Sequence, residues 1–151
     1  MDKPIKIIYY KKNEDILLKR ILNLNENITI LCRNNNDIKV LKNVEILVDK
    51  IKYNNKEFNY LTIHKSKGLE FDNVIILNLK KGLFPSEKHN NINDLIQQRE
   101  SNRYEEERRL FYVALTRTKN YVYLLVDKEE PSLFVKELVK QSNKYIEVVD
   151  I

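Results

Sequence analysis

The chain has 151 residues, the length of one domain, and its single cysteine and two histidines exclude a disulfide framework and most protein metal sites. Hydrophobic residues make up 42% and charged residues 32%, an ordinary balance for a soluble globular domain, and the lack of a disulfide framework predicts a cytoplasmic setting. No apolar run approaches the roughly 20 residues that span a bilayer. A net charge of +5 at pH 7 slightly favours a nucleic-acid partner, although a well-solvated, lysine-rich surface is the simpler explanation.

Apolar segments that predict strands alternate with segments that predict helices. In chain order, strands are predicted at 5–10, 27–33, 44–48, 58–64, 73–79, 121–126 and 145–149. Helices are predicted at 13–25, at about 36–42, from 104 onward and at about 132–141. In the first helix Asn13 is a candidate N-cap, and Leu17, Ile21 and Leu24 share one face. Continuous apolar strands between amphipathic helices predict an α/β fold with a parallel or mixed sheet covered on both faces.

The least regular stretch of the chain is 85–102, PSEKHNNINDLIQQRESN, which is rich in Asn, Gln and Ser. This composition predicts a surface loop with a partial helix, and loops of this kind often carry function. The sequence shows neither an internal repeat nor a long linker, so residues 1–151 are expected to form a single domain.

The segment LTIHKSKGLEFDNVIIL, residues 61–77, places a basic polar loop between two strand-like runs. Ligands of open α/β sheets bind beyond the carboxyl ends of strands, so the polar residues after the first run are expected at such an edge. These polar residues, whose side chains carry hydrogen-bond donors suited to phosphate oxygens, are Thr62, His64, Lys65, Ser66 and Lys67. Gly68 permits a backbone conformation or a close approach that a Cβ would obstruct, and Glu70 can accept a hydrogen bond from a ribose hydroxyl. The alternative is a solvated turn in which Glu70 pairs with Lys67.

The segment YEEERRLFYVALTR, residues 104–117, joins a charged half to an apolar half within one predicted helix. Glu105 stands three residues before Arg108, a spacing that permits a surface ion pair. Tyr112 is either a buried tyrosine or a stacking platform for a base. Arg117 lies just beyond the packed section, at an edge where a guanidinium is available for chemistry. The residues expected in the core are Leu110, Phe111, Val113, Ala114 and Leu115.

Together, these two segments resemble motifs V and VI of the superfamily 1 DNA helicases of the UvrD/Rep type, with motif V at 61–77 and motif VI at 104–119. The motifs stand in the family's order, and GLFPSE at 82–87 falls where the family has a similar segment. The sequences of these segments are most similar to those of the helicase IV-like branch. The resemblance implies that the chain is the second RecA-like domain of a two-domain motor. That domain has an α/β, P-loop NTPase-type fold, with a mostly parallel sheet and helices on both faces, but no P-loop of its own.

For the nucleotide, the resemblance implies that ATP lies in the cleft between the two RecA-like domains. Arg117 matches the motif VI arginine that reaches across this cleft to the γ-phosphate, where a permanently charged, fork-shaped guanidinium suits phosphate. Glu70 matches the motif V glutamate that contacts the nucleotide ribose, and Gly68 shapes the loop beside it. Arg117 is therefore the expected catalytic residue of this chain.

For the nucleic acid, the resemblance implies a track for single-stranded DNA across both domains. Thr62 and His64 match motif V positions that face the DNA backbone, although His64 alone would be interpreted as a structural histidine. Upstream, ILCRNNNDIKVL at 30–41 resembles a weaker family segment, in which Arg33 and Asn35 match residues that touch the single strand. The expected partners are single-stranded or partly duplex DNA and the N-terminal RecA-like domain of the same protein, and no membrane partner is expected.

Several parts of the family's active site have no counterpart in this sequence. The two glycines, Gly68 and Gly82, do not start the pattern G-x-x-x-x-G-K-[ST], and no strand ends in the acidic magnesium-binding motif. We therefore expect the N-terminal domain to hold ATP and Mg²⁺, with no metal site and no catalysis in this part alone. The resemblance makes 3′-to-5′ movement the expectation for the whole motor. The interval between Arg33 and motif V is too short for the large insertion domain of many relatives.

Two alternatives to a motor domain stay open at this point. The first is a stand-alone nucleic-acid-binding or regulatory module that kept the fold and lost the motor half. The second is a subunit of a helicase–nuclease, although no acidic nuclease cluster follows the last predicted strand. A P-loop encoded upstream of Met1 would distinguish the motor from the stand-alone module.

Overall fold

The computed structural model describes residues 3–24, 27–86, 97–141 and 143–150. The strands in these ranges are β1 (Ile5–Tyr10), β2 (Ile28–Cys32), β3 (Glu45–Ile46), β4 (Lys50–Tyr53), β5 (Lys56–Thr62), β6 (Phe71–Leu79), β7 (Thr118–Asp127) and β8 (Ile146–Val148). The α-helices are α1 (Glu14–Leu24), α2 (Gln97–Leu115) and α3 (Leu133–Gln141). Short 3-10 helices lie at Asn35–Val40, His64–Ser66 and Asn143–Tyr145.

The strands of the described ranges form one sheet in the order β3-β4-β5-β2-β6-β7-β1-β8. From β5 across to β8 every neighbouring pair is parallel, whereas β3 and β4 extend the β5 side in antiparallel fashion. Parallel neighbours bring their carboxyl ends to one edge of the sheet and their amino ends to the other, and we call these the carboxyl edge and the amino edge. The predicted mostly parallel α/β sheet is confirmed.

Alternate residues of the central strands face opposite layers of helices. In β6, Val74 and Ile76 belong to one buried cluster, and Ile75 and Leu77 belong to the other. Helices α2 and α3 pack against the first cluster, and α1 packs against the second. Because both faces are covered, these strands are apolar at nearly every position, which is the reason that they are recognisable from the sequence. The prediction of helices on both faces is confirmed.

Phe84 anchors the segment between β6 and α2 in the core. Its ring is fully buried and meets Phe111 of α2 and Phe134 of α3 edge-on, with ring centroids 5.8 Å apart in each pair. The buried hydroxyl of Ser132, at the start of α3, donates a hydrogen bond to the Phe84 carbonyl oxygen. These contacts hold residues 82–86 against α2 and α3.

The hairpin of β3 and β4 differs from the sequence-based prediction. The predicted strand 44–48 shortens to Glu45–Ile46, and its partner Lys50–Tyr53 is not predicted at all. Only Ile51 of β4 is buried, with a lysine on each side of it, so the strand lacks the apolar run by which a strand is recognised. Asn54 and Asn55 both have left-handed backbones, with φ of 56° and 60°, and form the tight turn that leads into β5.

Helix α1 buries a different stripe from the predicted one. Leu17 and Ile21 are buried as predicted, but Leu24 is 68% exposed. The buried face also includes Leu18 and Leu22, so its centre is displaced from the position that Leu24 occupies in the last turn. The prediction for Leu24 was therefore wrong.

The remaining boundaries shift by a few residues. Strand β5 ends at Thr62, so His64 belongs to a 3-10 helix rather than to the predicted strand. The helix predicted at 36–42 is the 3-10 helix Asn35–Val40. Helix α2 begins at Gln97, which makes the end of 85–102 helical, while residues 87–96 lie outside the described part. Among the described residues, no helix is long and apolar enough to cross a membrane.

Candidate nucleotide and nucleic-acid site

Residues 63–70, which we call the crossover, connect the end of β5 to the start of β6. Because both strands run parallel to β2, the crossover passes from the carboxyl edge of the sheet to the amino edge. Ile63 is fully buried, and its N–H donates to the Cys32 carbonyl oxygen at 2.9 Å. The buried Ser66 hydroxyl donates to the Ile63 carbonyl oxygen at 2.6 Å and closes a tight turn. The crossover is thus fastened to the end of β2 where it begins.

Arg117 lies at the amino edge, between α2 and β7. Its carbonyl oxygen accepts a hydrogen bond from the Phe71 N–H at 2.8 Å, which joins the starts of β6 and β7. Glu70, the residue before Phe71, therefore lies close to Arg117 in the fold. Thr62 ends β5 at the carboxyl edge as predicted. Glu70 and Arg117 lie at the opposite, amino edge. Ligands of open α/β sheets generally bind at the carboxyl edge, so this pair does not follow the general rule.

The Arg117 guanidinium is held by neutral oxygen atoms. Nε donates to the Val113 carbonyl oxygen at 3.2 Å, Nη1 to the Leu69 carbonyl oxygen at 3.2 Å, and Nη2 to the Thr116 hydroxyl at 3.0 Å. None of these partners is a carboxylate, so among the described residues the positive charge of Arg117 has no direct ion pair. A guanidinium carries further N–H donors on its terminal nitrogens. Arg117 is therefore oriented and still able to bind an anion.

Gly68 and Glu70 form the end of the crossover beside Arg117. Gly68 has φ +81°, and a Cβ built on it would contact nothing within 4 Å, so the backbone conformation rather than a close approach calls for glycine here. Glu70 is exposed and lines an open cavity of about 410 Å³ at the amino edge, together with Asp72 and Lys119. Within the described ranges no ion pair joins Glu70 to Lys67, contrary to the alternative interpretation.

The four predicted DNA-binding residues gather at the carboxyl edge. Thr62 of β5 is in register with Cys32 of β2, and Arg33 follows Cys32 directly. His64 and Asn35 are both exposed at the start of short 3-10 helices that follow these two strands. The sequence positions 33, 35, 62 and 64 thus form one surface, which we call the carboxyl-edge surface. The structure brings these residues together and separates them from Glu70 and Arg117.

Glu107 binds a residue of the carboxyl-edge surface and is not among the residues predicted from the sequence. This side chain of α2 is only 3% exposed, and its Oε1 accepts a hydrogen bond from Arg33 Nε at 2.7 Å. Its Oε2 accepts the Ser86 backbone N–H at 2.8 Å. The sequence contains one signal for it, because Glu107 stands three and four residues before the buried Leu110 and Phe111 and so lies on the inward face of α2.

The other charged and aromatic side chains of α2 have structural partners. Arg108 donates to Glu137 of α3 at 2.9 and 3.0 Å, rather than taking the predicted Glu105 as its hydrogen-bonded partner. The hydrogen bonds to Glu137 raise the pKa of the Arg108 guanidinium. Tyr112 is half-buried and donates to Gln141 at 3.2 Å, which favours packing over base stacking. Of the predicted core positions in α2, Leu110, Phe111 and Ala114 are buried, and Val113 and Leu115 are half-buried.

A cavity of about 670 Å³ lies at the carboxyl ends of β1, β6 and β7. The chain leaves β1 through α1 on one face and leaves β7 through α3 on the other, so this cavity is a topological switch point of the sheet. The carboxylates of Glu14 and Asp127 in its wall are 5% and 7% exposed. Burial raises the pKa of Glu14 to about 7, and nearby carboxylates add to this effect against hydrogen bonds from Asn78 and Tyr10.

This switch point does not resemble a phosphate cradle. The connection from β1 to α1 is Lys11, Lys12 and Asn13, which lacks the glycines that let backbone N–H groups wrap a phosphate. A phosphate placed here would also meet the two buried carboxylates. Among the described residues, no group of three or more His, Cys, Asp or Glu side chains has an arrangement that could hold a metal ion.

Comparisons with known proteins point to one family. Residues 47–129 match the family model of the UvrD-like helicase C-terminal domain. The chain is 43% identical over 86 residues to DNA helicase IV of Escherichia coli, which covers 54% of this chain and 13% of the relative. It is 39% identical over 98 residues to a probable DNA helicase II homolog of Mycoplasma pneumoniae, and this alignment covers 61% of this chain and 13% of the relative. It is 35% identical over 88 residues to ATP-dependent DNA helicase PcrA of Leuconostoc citreum, and this alignment covers 52% of this chain and 11% of the relative.

The alignments therefore span only about an eighth of the length of these helicases. Within that span, the resemblance seen in motifs V and VI is confirmed, and the match to the family model extends over more than half of the chain. The sheet with helices on both faces has the architecture of a RecA-like domain. The chain belongs to the UvrD-like helicase C-terminal domain family.

Proposed function

We propose that this chain is the second motor domain of an ATP-dependent DNA helicase and that Arg117 binds the γ-phosphate of an ATP molecule held by a partner RecA-like domain. One observation supports the proposal most strongly. Arg117 is oriented by three neutral oxygen atoms at the amino edge, so its charge is available to a group from outside the domain. A guanidinium cannot titrate near neutrality and binds phosphate in a bidentate manner.

On the nucleotide side, this chain contributes two groups. Arg117 neutralises charge on the γ-phosphate as it develops in the transition state, an effect worth about 10³- to 10⁵-fold in rate. Glu70, exposed beside it, accepts a hydrogen bond from the ribose. The P-loop lysine and the Mg²⁺ ligands belong to the partner domain, and Mg²⁺ supplies further charge neutralisation there when bound. Without that domain, we expect this chain to hydrolyse no ATP.

On the nucleic-acid side, the carboxyl-edge surface holds part of a single DNA strand. Arg33 and His64 supply donors to phosphates, and Asn35 and Thr62 supply polar contacts that carry no charge. The crossover joins this surface to Glu70 at the amino edge. A movement of Glu70 and Arg117 towards ATP therefore carries the DNA contacts with it, and repeated closure and opening moves the strand. We propose 3′-to-5′ movement, which the family resemblance implies.

The experiment is DNA-stimulated ATP hydrolysis by the complete protein in which this domain accompanies its P-loop domain. Arg117→Ala should abolish most turnover, and Glu70→Ala should reduce it less, because a lost ribose contact removes a hydrogen bond rather than charge on the reacting phosphate. Unchanged hydrolysis by both variants would show that ATP does not meet the amino edge of this domain. ATP hydrolysis by the isolated chain would contradict the assignment of the P-loop to a partner domain.

A further inference from the structure

The carboxylate of Glu107 joins three parts of the fold. It lies on α2, accepts Arg33 Nε from the end of β2 at 2.7 Å, and accepts the Ser86 N–H from the segment before α2 at 2.8 Å. With 3% exposure, the Glu107 side chain is almost entirely removed from water. A buried carboxylate with both oxygens bonded is held in one orientation, because any rotation would leave an oxygen without a partner.

The contact leaves the phosphate-binding side of Arg33 available. In the described part of the chain, the only side-chain hydrogen bond of Arg33 is the one that Nε donates to Glu107. The N–H groups of both terminal nitrogens therefore have no hydrogen-bond partner among the described residues, and the Arg33 side chain remains 24% exposed. An arginine bound through Nε by a fixed carboxylate presents its terminal nitrogens in a defined direction, whereas an unpaired arginine samples many rotamers.

We propose that Glu107 is a positioning residue for DNA, which holds Arg33 so that its terminal nitrogens meet a backbone phosphate of the single strand. This inference rests on the proposed DNA contact of Arg33. Glu107 itself touches no nucleotide. Its contribution is to remove the conformational freedom that Arg33 would otherwise lose on binding, which lowers the entropic cost of the contact.

The charge of Glu107 makes the proposal testable, because two explanations predict opposite signs. Glu107→Gln raises the net charge of the chain by one unit, and simple electrostatics then predicts tighter DNA binding. The glutamine has nearly the same shape, but its neutral oxygen holds Arg33 more weakly, and its amide nitrogen cannot accept the Ser86 N–H. Positioning therefore predicts weaker binding, by about threefold to tenfold.

The measurement is the affinity of the 151-residue chain for a fluorescein-labelled oligothymidine at low salt, by fluorescence anisotropy. Glu106→Gln is the matched control, because Glu106 is an exposed neighbour on the same helix and undergoes the same change of charge. The control variant should bind as tightly as the unchanged chain or slightly more tightly. In an Arg33→Ala background, Glu107→Gln should cause no further loss, because the side chain that it positions is gone.

A second variant keeps the test decisive if Glu107→Gln perturbs folding. Arg33→Lys preserves the charge, but a lysine ammonium engaged by Glu107 has no rigid fork left to offer a phosphate. We expect Arg33→Lys to bind the oligothymidine nearly as weakly as Arg33→Ala. Binding by Arg33→Lys at the level of the unchanged chain would overturn the positioning role.

The outcomes separate the inference from the function on which it rests. If the unchanged chain binds, Arg33→Ala weakens binding and Glu107→Gln binds as tightly as Glu106→Gln, Glu107 does not position Arg33 and the inference is wrong. If Arg33→Ala binds as tightly as the unchanged chain, or if the unchanged chain does not bind, the proposed DNA contact is wrong and the inference falls with it. A loss confined to Glu107→Gln and the Arg33 variants supports both.

Discussion

The Arg117 guanidinium donates a hydrogen bond from Nη1 to the Leu69 carbonyl oxygen at 3.2 Å, and this contact joins the end of α2 to the end of the crossover. It brings the arginine of motif VI beside the glutamate of motif V, because Glu70 is the next residue. The course of the backbone through Gly68 determines where the Leu69 carbonyl points. The geometry of the proposed nucleotide-binding edge therefore depends on the backbone at Gly68 and Leu69 as well as on the side chains of Glu70 and Arg117.

Gly68→Ala should destabilise the domain through its backbone alone. A Cβ at this position meets nothing within 4 Å, but φ is +81°, a region that L-residues adopt at a cost of about 1 kcal/mol. We expect the free energy of unfolding in urea to fall by about that amount. Gly68→Asn is the matched control and should lose less, because asparagine tolerates left-handed backbone. Equal stability of Gly68→Ala and the unchanged chain would contradict the strain argument.

The sequence predicts best those elements whose residues are buried on both sides. Strands such as β6 are continuous apolar runs, and their pairing into a parallel sheet follows from the helices between them. The short strand β4, which lies next to the edge strand β3, escapes prediction, since only Ile51 of its residues is buried. Leu24 shows the same limit, because a hydrophobic residue in the last turn of a helix need not face the core.

For the candidate site, the sequence indicates which residues to consider but not at which edge of the sheet each of them lies. The motifs single out Arg117, Glu70, Thr62 and His64. The composition does not reveal that Arg117 and Glu70 lie at the amino edge while Thr62 and His64 lie at the carboxyl edge. The crossover decides this, and its path depends on long-range parallel pairing. Glu107 is one of three consecutive glutamates, so its burial and its bond to Arg33 become evident only from the packing of α2.

Arg33→Ala should reduce the salt dependence of DNA binding. If Arg33 contacts one phosphate of a single strand, its removal lowers the slope of log affinity against log salt concentration by about 0.7 in magnitude. Fluorescence anisotropy titrations of the chain with oligothymidine at several salt concentrations measure this slope. Lys119→Ala, an exposed cation at the amino edge, should leave the slope unchanged. An identical loss of slope in both variants would indicate non-specific attraction rather than a contact at Arg33.

Glu14→Gln should stabilise the domain at high pH and not at low pH. Burial raises the pKa of Glu14 from 4.5 to about 7, so the folded state favours the protonated carboxyl. The contribution of Glu14 to stability is full below pH 4.5 and declines as pH rises through 7. Because one pKa unit corresponds to about 1.4 kcal/mol, this shift lowers the free energy of unfolding by about 3 kcal/mol at high pH.

Urea unfolding at pH 5 and pH 8 measures this effect. Glutamine stays neutral and still accepts the Asn78 N–H through its oxygen, so the variant should gain stability relative to the unchanged chain as pH rises. Glu129→Gln, an exposed carboxylate beside the same cavity, should show no such trend. A stability difference that is the same at both pH values would mean that Glu14 titrates normally in the folded protein.

The central claim is that Arg117 acts on the phosphate of an ATP molecule bound by another domain. Its most direct test is the kcat of DNA-stimulated ATP hydrolysis by the complete protein with Arg117→Ala. Arg109→Ala is the matched control, because it removes an exposed arginine from α2 with the same change of charge. DNA binding by both variants should be retained, since both arginines are distinct from the residues of the carboxyl-edge surface.

We expect kcat of Arg117→Ala to fall by about 10³-fold or more, because the transition-state charge on the γ-phosphate loses its guanidinium. Binding of ATP should change much less than kcat, because the partner domain holds most of the nucleotide. A kcat equal to that of Arg109→Ala would contradict the account and would make Arg117 a structural residue that only caps the turn into β7.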